Sequence, residues 1–339
     1  MLPSKLAGVA FGVLYLASVS TPARAQSATL DAVRARGVVR CGTSTGFPGF
    51  SMPDSQGVYR GLDVDVCRAV AAAALGDAAK VQYVPLTAVQ RFTALQSGEV
   101  DLLARNATWT YTRSAQLALV FTATDYYDGQ GFLVANAAKV AHVRELQGAA
   151  ICVQAGTDTQ AGLQDYFARN GLQFEPVTFE NPEQVKDAFT AGRCDAMTSD
   201  STQLVAIRST MQRPAEYRLL PEIVTKEPLT PAVRSGDEQW ANVVRWSFWA
   251  MVTAEELGLT SANIRDQVTS TDPNVRRLTG KAGDLGKMLS LDPAWAMNVV
   301  AQVGNYGESF QRNLAPLGVE RGYNRLWRDG GLMFAPPLR

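Results

Sequence analysis

Ser97-Gly-Glu-Val-Asp-Leu-Leu-Ala-Arg-Asn-Ala-Thr-Trp-Thr-Tyr-Thr-Arg113 is the stretch around which the rest of the chain is organised. Gly98 ends a helix, and residues 100–104 form an apolar strand that runs into a polar segment containing Arg105, Asn106, Thr108, Thr110, Thr112 and Arg113. In an open parallel sheet, ligands lie beyond the carboxyl ends of strands, where a guanidinium offers a planar fork matched to a carboxylate. The alternative is an ordinary strand-to-helix loop whose threonines cap the next helix.

The first 25 residues have the features of a secretory signal. Lys5 supplies the positive start, residues 6–20 the apolar run, and Ala23-Arg24-Ala25 a small-residue cleavage site before Gln26. The run is too short to remain as a membrane span, and no later stretch is long and apolar enough to be one. No cysteine near the cleavage site is available for a lipid anchor. We therefore expect a soluble, periplasmic mature chain that is cleaved after Ala25.

The charge balance and length limit the possible functions. Removal of residues 1–25 leaves 30 basic and 32 acidic residues in a chain of 314 residues. This balance argues against a nucleic-acid binder, which needs clustered positive charge. A chain of this length is long for one hydrophobic core and suits two domains. Four cysteines in an exported chain predict disulfides, and their number allows three pairings.

The hydrophobic pattern describes two successive α/β units. Strands alternate with helices in both units, and the predicted strands are residues 37–42, 81–85, 149–153, 174–179 and 194–198. From Glu227 to Val233 the chain runs back towards the first unit. The remainder is predominantly helical, with one helix that ends at Gly258 and two further helical stretches. We expect this tail to pack on the first unit.

The chain resembles the solute-binding proteins of polar amino-acid ABC importers. The residues that carry the resemblance are spread in order along the mature chain: Gly61–Asp65, Arg91–Asp101, Tyr126-Tyr127, Gly156-Thr157, and Ala191–Ala196 leading to Asp200. Four further segments resemble the periplasmic general L-amino-acid-binding subfamily: Arg105–Thr110, Tyr127–Gly131, Asn305–Glu308 and Gly330–Pro337.

The resemblance implies a type II periplasmic binding fold of the α/β class. Two lobes would be joined by two crossing strands that act as a hinge, with the ligand between the lobes and a helical carboxyl-terminal extension. After the signal (1–25), one lobe would comprise residues 26–131 and 228–339, and the other residues 132–227. The implied partners are a free L-amino acid and the membrane subunits of an ABC transporter. We expect a monomer without a cofactor, a bound metal or nucleic acid.

The resemblance also implies roles for individual residues. Arg113 would hold the ligand α-carboxylate with help from Asn106 and Thr108, and Asp200 would bind the α-ammonium group. Phe47 would form an apolar wall; Thr157, Asp158 or Thr159 would add hydrogen bonds, and Arg91 would reach the ligand side chain. The chemistry of a zwitterionic ligand supports these roles independently. Each of its charged ends needs an opposite charge in the site, because an unpaired buried charge costs several kcal/mol. The second aromatic wall of the family is replaced by Ala88.

Each of these residues also has an ordinary structural interpretation. Arg113 would be a solvated loop residue, Asp200 would cap the helix that starts at Ser201, and Arg91 would form a surface salt bridge. Phe47 would belong to the core instead of the pocket wall. The sequence alone does not decide between these interpretations.

The sequence also contains features of two enzymatic alternatives. Gly42-Thr-Ser-Thr-Gly46 fits the G-x-S-x-G elbow of hydrolases, but a turn-rich segment follows it where a helix is required. The only histidine, His142, lies in a polar run, and it offers neither a catalytic triad nor a metal site. An exported dehydratase-like enzyme on the same two-lobed fold is the stronger alternative, because fold alone does not decide function.

The two-lobed arrangement selects one disulfide pairing. We expect Cys41 to bond Cys67 and Cys152 to bond Cys194, because either alternative pairing would tie the lobes together and oppose hinge motion. The expected ligands are glutamate, glutamine, aspartate and asparagine. Arg91 and Arg105 lie near enough in sequence to the pocket strand to reach a polar side chain, and Ala88 leaves space for different side chains.

Overall fold

The computed structural model describes residues 27–339, so the predicted signal at residues 1–25 lies outside the described part. The strands are β1 (Val39–Ser44), β2 (Met52–Pro53), β3 (Tyr59–Arg60), β4 (Val81–Leu86), β5 (Leu102–Leu103), β6 (Leu119–Phe121), β7 (Tyr126–Asp128), β8 (Gln130–Ala135), β9 (Ala150–Gln154), β10 (Glu175–Phe179), β11 (Ala196–Asp200), β12 (Tyr217–Leu219), β13 (Glu227–Leu229) and β14 (Ala232–Arg234).

The helices lie between and after these strands. They are α1 (Ala28–Arg36), α2 (Leu62–Leu75), α3 (Arg91–Ser97), α4 (Tyr111–Gln116), α5 (Asp158–Arg169), α6 (Pro182–Thr190), α7 (Ser201–Ser209), α8 (Glu238–Glu256), α9 (Pro273–Leu278), α10 (Leu285–Met288), α11 (Trp295–Val303) and α12 (Tyr306–Asn313). In residues 27–339, no helix is both long and apolar enough to cross a membrane.

Two five-stranded sheets form the centres of two lobes. The first has the order β4-β1-β5-β14-β6, and the second has the order β10-β9-β11-β8-β12. In each sheet, one central strand pairs in parallel with both of its neighbours: β1 with β4 and β5, and β9 with β10 and β11. The two α/β units predicted from the sequence are therefore confirmed.

Two antiparallel strands connect the lobes. β7 leads into β8 of the second sheet, and β13 leads back to β14 of the first. These two strands pair with each other through Glu227 opposite Asp128 and Leu229 opposite Tyr126. The chain therefore crosses between the lobes twice at one place, which is the expected hinge arrangement.

The helical tail packs on the first lobe and is more divided than the pattern predicted. Four short helices, α9 to α12, follow α8 where two stretches were expected, and glycines at positive φ, including Gly280 and Gly304, separate them. The Tyr306 hydroxyl donates a hydrogen bond to the Asp125 carbonyl oxygen at 3.0 Å. This contact anchors the tail directly beneath the crossing strands.

Each lobe contains one disulfide. Cys41 on β1 is bonded to Cys67 on α2, and Cys152 on β9 is bonded to Cys194, which precedes β11. The pairing is the expected one, and neither bond connects the lobes. Each disulfide instead closes a strand onto a neighbouring element of its own α/β unit.

Candidate ligand-binding site

A small cavity of about 20 Å³ lies between the two lobes. The first lobe contributes Phe47, Arg91, Asn106 and Thr108, and the second contributes Gln154, Thr157, Asp158, Thr159, Ser199, Asp200 and Gln203. The structure thus brings together eight of the nine residues selected from the sequence. The ninth, Arg113, lies next to the cavity, with its guanidinium reaching towards Asp158.

The cavity residues follow strand ends because of the sheet topology. β5 runs into the Arg105–Thr110 loop, β9 into Gly156 and Thr157, and β11 into Ser201. Carboxyl ends of neighbouring parallel strands meet at one edge of a sheet. Within the first of these loops, Asn106 has φ 39°, a left-handed conformation that asparagine tolerates better than most residues.

Arg113 is a buried residue of α4, so the solvated-loop interpretation is wrong. It is 9 % exposed, and one guanidinium nitrogen donates to the Thr108 carbonyl oxygen at 2.7 Å. Burial lowers its pKa, while the charge of Asp158 opposes that shift most strongly. The other terminal nitrogen lies 3.9 Å from Asp158 Oδ1 across the cleft. This geometry leaves donors available for an incoming carboxylate.

Two more buried arginines belong to the first lobe: Arg91 lines the cavity, and Arg105 begins the loop that carries Asn106 and Thr108. Arg91 is 2 % exposed and Arg105 is 1 % exposed, so the surface salt bridge considered for Arg91 is wrong. Arg91 Nε and one terminal nitrogen of Arg105 have no hydrogen-bond partner. Burial lowers both pKa values, that of Arg105 to about 10. Unpartnered buried cationic donors are costly, and an anionic ligand would relieve that cost.

Asp200 provides the opposite charge from the second lobe. It is 4 % exposed, and its pKa is raised well above the usual range by burial and then by the charges of Glu227 and Asp128. Although Asp200 precedes α7, its side chain does not cap that helix. Asp128 takes this role, because its carboxylate accepts hydrogen bonds from the Ser201 hydroxyl and the Thr202 backbone N–H. The Asp200 carboxylate accepts a hydrogen bond from the Asn106 side chain and, because it does not cap α7, can also pair with a cation.

The start of α5 faces the cleft. The Thr157 hydroxyl is fully engaged: it donates to the Gln154 carbonyl oxygen and accepts from Thr159 and from the Gln160 N–H. Its role is therefore that of a helix cap. The first backbone N–H groups of a helix have no intrahelical acceptor, so the amino-terminal turn of α5 can bind a carboxylate.

A family model described as "Bacterial extracellular solute-binding proteins, family 3" matches residues 39–262. The match spans both sheets and both crossing strands. The chain belongs to this family.

Similar proteins cover nearly the whole solute-binding chain. It is 51% identical to the putative amino-acid ABC transporter-binding protein YhdW of Escherichia coli, over 92% of this chain and 93% of that protein. It is 48% identical to the general L-amino acid-binding periplasmic protein AapJ of Rhizobium johnstonii, over 100% of both chains. It is 49% identical to the glutamate/glutamine/aspartate/asparagine-binding protein BztA of Rhodobacter capsulatus, over 97% and 98%.

A solved structure also matches this solute-binding protein closely. It is an ABC transporter periplasmic binding protein from Brucella ovis with glutathione bound, with a TM-score of 0.89 and 45% identity. The match covers 92% of this chain and 99% of that one. The full two-lobed architecture is thus shared, including the tail.

The sequence interpretation missed four residues of the solute site. Gln154, Ser199 and Gln203 line the cavity, and Ser199 donates to Gln203 at 2.9 Å. The sequence did contain a signal for these three residues. Gln154 and Ser199 lie at the ends of strands, and Gln203 lies about one helical turn after Asp200. Glu227, on β13, offered none. It approaches the site only because the crossing strand passes beneath Thr108.

Phe47 belongs both to the hydrophobic core and to the wall of the cavity. It is 3 % exposed and belongs to the main hydrophobic core, and it also lines the cavity of the solute-binding protein. Its neighbours Gly46 and Pro48 line a second, outer cavity of about 320 Å³, to which the second lobe contributes Asn181 and Lys186. Phe47 therefore lies between a small inner cavity and a larger outer one.

Proposed function

We propose that this chain is the periplasmic ligand-binding component of an amino-acid ABC importer. It binds free polar or acidic L-amino acids between its lobes, closes on them, and delivers them to membrane subunits without turnover. The signal is cleaved after Ala25, and residues 26–131 with 228–339 form one lobe and residues 132–227 the other. The mature protein acts as a monomer.

The charge distribution of the cavity is the observation that carries this proposal. Arg91 lines the cavity from the first lobe, with Arg105 and Arg113 near it, and Asp158 and Asp200 line it from the second. A ligand with one ammonium and one or two carboxylates matches this arrangement at both ends. Sugars and apolar solutes would leave these buried charges unpaired, which is strongly unfavourable.

The residue roles follow the same polarity. Arg113 and the start of α5 bind the α-carboxylate, Asp200 binds the α-ammonium, and Arg91 with Arg105 reaches an acidic or amide side chain. Asn106, Asp158 and Thr159 complete the polar lining, and Phe47 covers the aliphatic part of the ligand. The names of BztA and AapJ support a range that includes glutamate, glutamine, aspartate and asparagine.

The dehydratase-like alternative receives less support. Asp200 has a raised pKa, as a catalytic acid requires, but it is also the carboxylate that we assign to the ligand ammonium. Relatives of about 50% identity are named as binding proteins. One assay separates the two functions: a bound amino acid that is recovered chemically unchanged after prolonged incubation supports binding without turnover.

Titration calorimetry and a thermal-shift panel of the twenty amino acids test the main proposal. A ligand that binds only the folded protein must raise the melting temperature. We expect shifts with glutamate, glutamine, aspartate and asparagine, and none with their D-isomers or with sugars. A shift with sugars alone would refute the proposal. A shift with only one L-amino acid would still support amino-acid binding, but it would contradict the proposed range of ligands.

Small γ-glutamyl peptides are a second candidate ligand class. The outer cavity beside Phe47 has room for a substituent on the ligand side chain, and Lys186 provides a cation at its edge. The Brucella ovis structure contains glutathione, which is such a peptide. Calorimetry with glutathione and with γ-glutamyl-alanine tests this class, and Lys186→Ala should weaken the peptides more than glutamate.

A further inference from the structure

Glu227 is a buried carboxylate on the crossing strand β13. Its relative exposure is 0 %, and it lies opposite Asp128 of β7. Each carboxylate oxygen accepts one hydroxyl hydrogen bond: Oε2 from Thr108 of the first lobe, and Oε1 from Thr225, which precedes β13. Glu227 therefore connects a cavity-lining residue to the hinge.

The hydrogen bond to Glu227 determines what Thr108 can offer a ligand. A threonine hydroxyl has one proton to donate and two lone pairs to accept with. Thr108 gives its proton to Glu227, so only lone pairs remain for the cavity that it lines. It can accept a hydrogen bond from an ammonium group, and it has no proton left to donate to a carboxylate.

We propose that Glu227 is a positioning residue that makes Thr108 an acceptor for the ligand α-ammonium group. Thr108 then acts with Asp200, and not with Arg113 as the sequence resemblance implied. This inference rests on the proposed amino-acid function. In this proposal, a carboxylate that does not touch the ligand allows the site to distinguish amino acids from acids that lack an amino group.

The groups around Glu227 make its hydrogen bond with Thr108 sensitive to pH. The charged groups that face it are Arg113 on α4, Asp158 on α5 and Asp200 at the end of β11, with Asp128 across the strand pair. Burial raises its pKa to about 7, against the two threonine hydrogen bonds and the Arg113 charge. Protonated Glu227 carries an O–H donor of its own, so it no longer requires both threonine hydroxyls to donate to it. Because a bound ammonium favours the ionised form, affinity should fall as the pH falls through about 7.

Calorimetry with Glu227→Gln and two ligands tests the inference. Glutamate carries the α-ammonium, and glutarate has both carboxylates without it. We expect about tenfold or greater weakening of glutamate, as for loss of a hydrogen bond to a charged group, with glutarate changed by less than about twofold. Glu222→Gln is the matched control, because Glu222 lies in the same connecting segment and bonds His142 at the surface.

Thr108→Val and Thr108→Ser keep the test decisive if Glu227→Gln folds poorly. Valine should reproduce the loss specific to glutamate, and serine should restore wild-type affinity. The pH profile gives a second readout: wild-type affinity for glutamate should fall between about pH 8 and about pH 6, and Glu227→Gln should flatten that fall. Equal weakening of both ligands, or none, would overturn the inference. If glutamate does not bind the wild type, the proposed function itself has failed.

Discussion

The Arg113 guanidinium and the Asp158 carboxylate lie 3.9 Å apart and belong to opposite lobes. Arg91 makes a second contact across the cleft, to the Gly156 carbonyl oxygen at 3.4 Å. Gly156 is necessary there, because its φ is 73° and an added Cβ would lie 3.0 Å from Val89 Cγ2. Arginines of the first lobe thus meet the start of α5, and an α-carboxylate placed between them would bond to both lobes.

Replacement of Arg113 by alanine should weaken amino-acid binding by about 2–5 kcal/mol, because the α-carboxylate would lose its buried charge partner. Calorimetric titration with glutamate measures the effect. Arg169→Ala, an exposed arginine on α5, is the control and should bind normally. Near-normal affinity in Arg113→Ala would show that Arg113 does not contact the ligand.

Asp200→Asn should weaken amino acids by a similar amount. The amide keeps the shape of the side chain and removes the negative charge that faces the ligand ammonium. Asp165→Asn, on the exposed face of α5, is the matched control. Unchanged binding in Asp200→Asn would show that the ligand ammonium group binds elsewhere in the cavity.

Arg91→Gln should change selectivity more than total affinity. Arg91 is buried with Nε unpartnered, so its charge favours an anionic side chain. We expect glutamate and aspartate to lose about tenfold relative to glutamine and asparagine, in line with a hydrogen bond to a charged group. Competition calorimetry gives the ratio, and equal losses for all four ligands would contradict the assignment.

Asp63 should make the stability of the first lobe depend on pH. Burial raises its pKa from 3.8 to about 7, although Arg105 and the Asn106 backbone oppose the shift. The folded state therefore holds a proton that the unfolded state has released, so this contribution to stability is full below about pH 4 and is lost as the pH rises through about 7.

Scanning calorimetry of Asp63→Asn tests this dependence. Between about pH 5 and about pH 8 the melting temperature of the variant should fall less steeply than that of the wild type, because the amide cannot ionise. Some slope should remain, since burial also raises the pKa of Asp125. Glu99→Gln, an exposed change in the same lobe, should leave the slope unaltered.

Loss of the Cys152–Cys194 disulfide should lower stability without changing ligand recognition. Its two cysteines are 42 residues apart, and Cys152 is fully buried on β9. We expect Cys152→Ala with Cys194→Ala to lose about 2–4 kcal/mol of unfolding free energy in denaturant titrations. A glutamate affinity that changes strongly would mean that the disulfide shapes the cleft.

The sequence by itself determined the α/β class, the two repeated units, the return of the chain at Glu227–Val233 and the positions of the strand ends. These depend on local information: hydrophobic periodicity, glycine stops and capping residues act within a few residues of one another. The polar segment after β5, with Asn106 and Thr108, followed from the same information, because a strand that leads into polar residues carries its own signal. The cavity residues of the second lobe, such as Thr157 and Asp200, were instead implied by the resemblance to amino-acid-binding proteins.

Only the tertiary structure decided how the charged groups face one another. The pattern of its helix allowed Arg91 to be a surface residue, yet it is 2 % exposed and contacts Gly156 of the second lobe. The capping of α7 by Asp128 frees Asp200 for the cavity, and Glu227 reaches Thr108 across 119 residues of sequence. The physical reason is that burial and long-range hydrogen bonds depend on how two lobes and two crossing strands meet, which no local pattern encodes.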